Sequence, residues 1–236
     1  MFKPSGSFTE ATNLLCKRAS KAIFCIRKLL FSENNNILPH IKLFETCVIS
    51  IILYCIEVWS LNIIKDNKII ESKYWNTVKI QIKFTKYLIG VNKVAVNAAV
   101  LAELGMYPVS MQALKLSISF WLHVLNSGEN SLVSAAYKAS LLLPNGFGKK
   151  IELFLFTLNF SHIWENQNTF YKRRLLHAID KKLDERYLHH WKENMFCDTN
   201  LIYGNKLRTY RKIKESYNLE KYLLLDLDKN VFRNYT

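Results

Sequence analysis

The chain has 236 residues, which is long for one domain and short for a two-domain enzyme, so it forms one or two compact units. Half of its residues are hydrophobic and it has only 7 Gly and 4 Pro. This composition excludes a disordered, a collagen-like or a turn-rich all-β chain, and it favours helices. The 33 Lys and Arg residues against 19 Asp and Glu give a net charge of +14, which indicates a polyanionic partner. Nucleic acid is the first such partner and an anionic membrane surface is the second.

The basic excess is spread along the whole chain. Residues 1–120 carry 15 basic and 7 acidic side chains, and residues 121–236 carry 18 and 12, so that +8 and +6 sum to +14. No detachable basic tail explains the charge. The five cysteines show no paired close spacing, which is typical of free thiols in a reducing compartment and predicts an intracellular protein, nuclear or cytoplasmic. They are Cys16, Cys25, Cys47, Cys55 and Cys197.

The first predicted helix starts at a capping box, because Ser7 lies three residues before Glu10. Apolar residues then recur at steps of three and four, which places them on one side of a helix. These residues are Leu15, Ala19, Ala22, Ile26 and Leu29. The opposite side carries Lys17, Lys21 and Lys28, and it is either a phosphate-contacting surface or an ordinary solvated face.

A second helix is predicted from Pro39 to about Trp59 and a third from Asp66 to Gly90. The second contains an apolar segment over residues 46–61, but Glu57 interrupts it, and it is shorter than the roughly 20 residues that a membrane span requires. We expect a buried core helix there. Gly90 is well placed for a left-handed helix cap.

A compact helix-turn-helix pattern follows, with Asn97 as N-cap, Gly105 as the stop and Pro108 at the start of the next helix. Another helix is predicted from Leu132 to Leu143. The strongest turn cluster of the chain, Pro144 to Gly148, predicts a domain boundary. The expected fold is therefore all-α, with a helical bundle at residues 1–143 and a smaller basic helical region at 149–236.

The C-terminal region is predicted to form helices at Ile151 to Asn159, Asn168 to Trp191 and Lys206 to Tyr217. Basic residues cluster here and tyrosines are interleaved with them. The candidate nucleic-acid contacts of this region are Lys172, Arg173, Arg174, Lys206, Arg208, Arg211 and Lys212. Cations pair with phosphates and aromatic rings stack on bases, although amphipathic helices with aromatic cores would give the same pattern.

No catalytic motif is present in the sequence. It has no phosphate-binding loop, dinucleotide fingerprint, nucleophile elbow or zinc-protease helix. His189, His190 and Cys197 lack a second nearby cysteine for a zinc site. Asp226 and Asp228 have no third acidic partner, so a solvated helix end explains them better than a pair of divalent ions. We therefore predict no catalytic and no metal-binding residue.

Several short motifs, taken in order, resemble the region downstream of the palm in reverse transcriptases of non-LTR (LINE-type) retrotransposons. The first are Ser5-Gly6-Ser7-Phe8, Lys28-Leu29, Leu43-Phe44-Glu45-Thr46, Ile52-Leu53-Tyr54 and Glu57-Val58-Trp59. The next are Phe84-Thr85-Lys86-Tyr87-Leu88-Ile89-Gly90-Val91, Asn97-Ala98-Ala99-Val100 and Glu103-Leu104-Gly105-Met106-Tyr107-Pro108-Val109. The last are Ser119-Phe120-Trp121, Ile163-Trp164-Glu165-Asn166-Gln167 and Lys206-Leu207-Arg208-Thr209-Tyr210. In one motif, Cys55 replaces the Gly of a Tyr-Gly-x-Glu pattern.

The resemblance implies a thumb and linker portion of an endonuclease-reverse transcriptase, an RNA-directed DNA polymerase. The family's paired aspartates, which hold Mg²⁺, would lie upstream of Met1, so we expect no cofactor and no enzymatic activity in this chain itself. The chain would bind RNA and DNA in the form of the template-product duplex. Lys17, Arg18, Lys21 and Lys28 would contact the backbone without reading sequence.

Two other functions remain open on sequence alone. The chain could be a stand-alone helical module that binds nucleic acid or protein without enzymatic activity. A third hypothesis, binding to an anionic membrane surface, rests on charge with Trp and Tyr content, and we do not expect a membrane partner.

Overall fold

A computed structural model of the protein describes most of the chain. The described residues are 8–29, 37–63, 76–128, 130–167, 172–196, 207 and 209–224. Within these residues every regular element is a helix, and the only other backbone pairing is an isolated antiparallel bridge between Leu104 and Leu219. The predicted all-α class is confirmed.

Twelve α-helices lie within the described residues, and a π-helical segment and two 3₁₀ segments accompany them. The first six are α1 (Thr9–Leu29), α2 (Ile37–Leu43), α3 (Ser50–Ile52), α4 (Ile56–Trp59), α5 (Asn76–Ile89) and α6 (Asn97–Glu103). The others are α7 (Val109–Leu125), α8 (Leu132–Leu141), α9 (Phe147–Thr157), α10 (Ser161–Asn166), α11 (Lys172–Phe196) and α12 (Tyr210–Ile213). The π-helical segment is Phe44–Ile49, and the 3₁₀ segments are Ser60–Ile63 and Lys221–Leu224.

The chain divides into two compact units, each made of separate stretches. The first contains Met1–Tyr54, Lys73–Val109 and Leu188–Thr236, and the second contains Cys55–Ser72 and Ser110–Tyr187. The boundary predicted from the turn at 144–148 lies inside the second unit, because α8 packs against α9 across that turn. The units therefore differ from the predicted division into 1–143 and 149–236.

In the first unit, α1 and α5 bury their apolar sides in one core together with the π-helical segment. Ala19, Ile26 and Phe84 are fully or almost fully buried, and the Phe84 ring stacks on that of Phe44 at 4.2 Å between centroids. The apolar stripe predicted for the first helix therefore faces the core. Val48, Ile49 and Ile52 of the predicted core segment are buried there as well, whereas Tyr54 of the same segment is 68% exposed. Across the described residues, none of the helices combines the length and the apolarity needed to cross a membrane.

The last described residues pack on α6 and the turn that follows it. The Tyr217 hydroxyl donates a hydrogen bond to the Met106 carbonyl oxygen at 2.6 Å, and the Tyr217 ring contacts Trp191. Gly105 has a φ of 60°, and a side chain there would meet the backbone nitrogen of Leu219 at 2.7 Å. Only glycine combines this backbone conformation with so close an approach. The predicted stop at Gly105 is confirmed, as is the left-handed cap at Gly90, whose φ is 82°.

The second unit is organised around α7, whose Trp121 is completely buried. The Trp121 indole donates a hydrogen bond to the Tyr137 hydroxyl of α8 at 3.0 Å, so that the polar edge of the ring is satisfied inside the core. Closer to the start of α7, Lys115 forms a 3.1 Å ion pair with Asp184 of α11. These contacts tie α8 and α11 to the same central helix.

The helix predicted from Pro39 to Trp59 is wrong as a single element. A π-helical segment interrupts it first, where the Thr46 hydroxyl donates to the Lys42 carbonyl oxygen and the Ser50 hydroxyl to that of Thr46. Such back-bonding bends helices. The chain then turns at residues 53–55, and Cys55 adopts a left-handed conformation with a φ of 52° before α4 begins.

Other predicted boundaries also move. Val96 is the N-cap of α6, so Asn97 is its first helical residue rather than its cap. The helix predicted over residues 206–217 contains one described turn, α12, because Lys214 is already extended with a ψ of 103°. α10 was not predicted at all. The predicted helix starts at Asp66 and Asn168, the cap at Ser7 and the pair Asp226 and Asp228 lie outside the described residues.

We expect Cys55→Gly to stabilise the protein by about 1 kcal/mol. A left-handed conformation costs a non-glycine residue about 1–2 kcal/mol. Relief of this cost exceeds the roughly 0.5–1 kcal/mol of chain entropy that glycine loses on folding. The midpoint of urea unfolding, followed by circular dichroism, measures the effect. Cys25→Gly is the matched control, since Cys25 is an exposed residue inside α1, where glycine costs about 1 kcal/mol. Equal destabilisation by the two variants would contradict the left-handed conformation of Cys55.

Candidate nucleic-acid interface

One side of α1 carries a row of exposed lysines. Lys17, Lys21 and Lys28 lie with Phe24 within about 60° of one another around the helix axis, because their spacings are close to whole turns. The opposite side of the helix holds Ala19 and the other core residues. The row is about 16 Å long at 1.5 Å per residue. The solvated face predicted from the sequence is therefore continuous and carries an aromatic ring.

The Phe24 ring is exposed within this row. It is 60% exposed, and the Lys28 ammonium lies 4.9 Å from its centroid. Arg18 is also exposed, on the flank of the row. The only acidic residue of α1 is Glu10, in its first turn. The remaining charged side chains of this helix are all basic.

A second basic row lies on α5, which contains no acidic residue. Lys79 and Lys83 are exposed and one turn apart. The next lysine, Lys86, behaves differently: its ammonium donates a 2.7 Å hydrogen bond to the Lys93 carbonyl oxygen, and partial burial lowers its pKa. Lys86 therefore helps to fix the turn after α5, and Lys79 and Lys83 remain available to a ligand.

The two rows lie on the same side of the first unit. Asn76 donates a 3.1 Å hydrogen bond to Asn13 near the start of both helices, and the Arg27 guanidinium lies 4.0 Å above the Tyr87 ring near the end of both. The helices are therefore adjacent and parallel. Because both bury their apolar sides in one core, their lysine rows face away from it together. We call this surface, formed by Lys17, Lys21, Phe24, Lys28, Lys79 and Lys83, the α1–α5 face.

Within the described part of the chain, the lysines of the α1–α5 face lack neutralising partners. Among the described residues, no hydrogen bond or ion pair occupies the ammonium groups of Lys17, Lys21, Lys79 and Lys83. Some lysines elsewhere are paired, such as Lys149 with Glu152 at 2.9 Å. Cations that are close together and unpaired raise the local potential and attract a polyanion.

The predicted basic residues of the C-terminal half differ from one another in exposure and lie in both units. Lys172, Arg173 and Arg174 form the first turn of α11, in the second unit, and the last two are exposed. Arg211 is half-buried and Lys212 is exposed, both in α12. Lys206 and Arg208 lie outside the described residues.

Lys214, two residues after the candidate Lys212, is not available to a ligand. It is 2% exposed, forms an ion pair with Glu220, and donates a 2.8 Å hydrogen bond to the Asn218 carbonyl oxygen. Its positive charge is paired with Glu220 inside the fold. Conversely, Lys79 and Lys83 were not predicted as contacts, although their spacing in a helix without acidic residues was a usable signal.

A buried carboxylate joins the C-terminal segment to α6. Glu103 accepts a hydrogen bond from the Tyr222 hydroxyl, and its backbone oxygen accepts one from the Glu220 amide at 3.0 Å. The Tyr210 hydroxyl contacts the Ala99 carbonyl oxygen at 3.3 Å and also the Glu103 carboxylate. Burial raises the pKa of Tyr210, and Glu103 raises it further because it favours the neutral phenol. A cavity of about 450 Å³, lined mostly by aliphatic side chains, lies beside this cluster.

This cluster predicts a loss of stability at alkaline pH. Since the pKa of Tyr210 is raised on folding, its contribution is complete below the usual tyrosine pKa of about 10 and is lost above it. We expect Tyr210→Phe to remove up to about 1.4 kcal/mol per pH unit of the decline above pH ~10. Urea unfolding at a series of pH values measures this slope. The same slope in the wild type and the variant would contradict the prediction.

Potential metal ligands do not converge in the described part of the chain, where no group of three His, Cys, Asp or Glu side chains is placed to hold an ion. His189 lies 3.5 Å from Glu193, and His190 shares a hydrogen bond with Asn194. Cys16, Cys25, Cys47 and Cys55 are free thiols. Comparisons with models of protein families, with curated proteins and with solved structures found no match.

Proposed function

We propose that the chain binds nucleic acid through the α1–α5 face. The observation that supports this most directly is the pair of adjacent parallel lysine rows, exposed and free of acidic partners. The α1 row, about 16 Å long, matches the axial length of about five phosphates of one strand at 3.4 Å each. Lysine ammonium groups at this spacing bind a phosphate backbone without reading its sequence.

The proposed context is the thumb and linker region of a non-LTR retrotransposon reverse transcriptase, which holds the RNA-DNA template-product duplex. Support comes from Cys55, which stands where the Tyr-Gly-x-Glu pattern has glycine and which adopts a left-handed conformation. Glycine adopts this conformation without steric strain, which explains a glycine at this position of the pattern. Gly105, in another of the quoted motifs, likewise has a positive φ.

In this proposal the chain contributes binding and no chemistry. We assign no catalytic residue, and we expect purified protein to show no metal-dependent primer extension. Its site of action is inside the cell, in the nucleus or the cytoplasm, where nucleic acid is present and cysteines stay reduced. Arg18 would extend this contact along α1, and the exposed cations Arg173, Arg174 and Lys212 are separate candidate contacts with RNA and DNA.

A second candidate function is a stand-alone helical interaction module. The observation that favours it is apolar surface around α8, where Leu132 is 88% exposed and Leu142 is 86% exposed. Exposed apolar patches are typical of protein interaction sites. An in-frame upstream sequence that encodes the paired aspartates would favour the polymerase context over this one.

Binding to an RNA-DNA hybrid at several salt concentrations tests the proposed function. Because each lysine-phosphate contact releases a counterion, the logarithm of the affinity should fall linearly with the logarithm of the salt concentration, by about 0.9 per contact. A filter-binding titration measures this slope. An affinity that does not change with salt would contradict a phosphate-dominated contact.

A further inference from the structure

Phe24 distinguishes the α1–α5 face from a simple phosphate-binding surface. Its ring is 60% exposed in the middle of the lysine row, between Lys21 and Lys28. Phosphate contacts alone need only cations and hydrogen-bond donors. An exposed ring within the lysine row offers a second kind of contact, because aromatic side chains stack on bases.

The neighbouring side chains hold the aromatic groups of this surface in place. The Lys28 ammonium lies 4.9 Å from the Phe24 ring, and Arg27, one turn after Phe24, lies 4.0 Å above the Tyr87 ring. Tyr87 is itself 37% exposed. Cation-π contacts attract the cation to the face of the ring, and part of each ring stays accessible.

We propose that the α1–α5 face binds single-stranded nucleic acid, with an unpaired base stacked on Phe24 and the adjacent phosphates on the lysines. This inference rests on the proposed function and adds unpaired strands to the duplex as a substrate of this face. In a duplex the base faces are stacked on each other, so that Phe24 has nothing to stack on. In a single strand every base offers a π face, and alternation of aromatic rings with cations is typical of surfaces that bind it.

The test compares Phe24→Ala with the wild type on a single-stranded DNA of about 12 nucleotides and on a duplex of the same sequence. We expect the variant to bind the single strand roughly 5- to 150-fold more weakly and the duplex with unchanged affinity. Phe156→Ala is the matched control, because Phe156 is 68% exposed on α9, and it should leave both affinities unchanged.

Two further variants separate stacking from apolar contact. Phe24→Leu keeps an apolar side chain without a π face and should behave like Phe24→Ala, whereas Phe24→Trp should bind the single strand at least as well as the wild type. A 2-aminopurine base in the strand should lose fluorescence on binding to the wild type and not to Phe24→Ala. Wild-type affinity in Phe24→Leu, or equal weakening of both substrates in Phe24→Ala, would overturn the inference.

The two proposals fail in different ways. If replacing Lys17, Lys21, Lys79 and Lys83 weakens binding while Phe24→Ala has no effect, the face binds nucleic acid and only the stacking inference is overturned. If the lysine replacements leave binding to both substrates unchanged, the proposed function itself is wrong.

Discussion

We expect the fourfold replacement of Lys17, Lys21, Lys79 and Lys83 by Gln to weaken binding to an RNA-DNA hybrid on the order of 10³-fold at ~0.1 M salt. Each lost phosphate contact removes about 0.9 from the slope of log affinity against log salt, so that four contacts remove about 3.6. At ~0.1 M salt, a slope that is smaller by this amount corresponds to a 10³- to 10⁴-fold loss of affinity. Fluorescence anisotropy at several salt concentrations measures both quantities.

A second fourfold variant controls for net charge. Lys138, Lys181, Lys192 and Lys221 are exposed residues outside the α1–α5 face, and replacing them by Gln also lowers the net charge by 4, from +14 to +10. We expect this variant to keep most of its affinity, because long-range attraction between exposed charges is screened within about 10 Å at 0.1 M salt. If both variants lose affinity equally, binding depends on the overall charge rather than on this face.

Phe84→Ala should cost about 3–5 kcal/mol of unfolding free energy, the largest stability effect that we expect of a single substitution. Phe84 is completely buried, and its ring stacks on Phe44, which joins α5 to the π-helical segment. The substitution removes apolar contacts and leaves a cavity that neighbouring groups fill only partly. Because whole domains are stable by only about 5–15 kcal/mol, the loss is a large share of the total.

The midpoint and slope of urea unfolding measure this effect, with Phe156→Ala as the control. The Phe156 side chain is 68% exposed, so its removal should change stability by no more than about 0.5 kcal/mol. A similar small effect for Phe84→Ala would show that the stacked pair does not lie at the centre of the first core.

Local physics explains which features the sequence predicts well. The apolar stripe of α1 follows from helical periodicity alone, and Ala19 and Ile26 are buried as predicted. Gly90 and Gly105 end their helices with positive φ, because glycine adopts this conformation without steric cost. Each of these features depends on a few neighbouring residues, and no distant contact is needed to predict it.

The break before α4 could not be predicted in the same way. Cysteine gives no local signal for a left-handed turn, and Cys55 adopts one because the flanking Ile52 and Ile56 are both fully buried. Tertiary packing of these two side chains offsets the backbone strain between them.

The candidate site depends on contacts between distant parts of the chain. Asn13 and Asn76 are 63 positions apart in sequence, and their contact, with that of Arg27 and Tyr87, reveals that the rows of α1 and α5 lie side by side. Lys214 is an equally clear case, since it is buried with Glu220 although it follows the candidate Lys212 closely in sequence. Charge counts along the chain identify the class of partner but not the face that binds it.

Lysine footprinting tests the α1–α5 face most directly. The free protein and its complex with nucleic acid are treated with an amine-reactive reagent, and mass spectrometry measures the modification of each lysine. We predict that bound nucleic acid protects Lys17, Lys21, Lys79 and Lys83, while Lys138 reacts at the same rate in both states. Unchanged reactivity of the four lysines in a complex that is demonstrably formed would contradict the proposed interface.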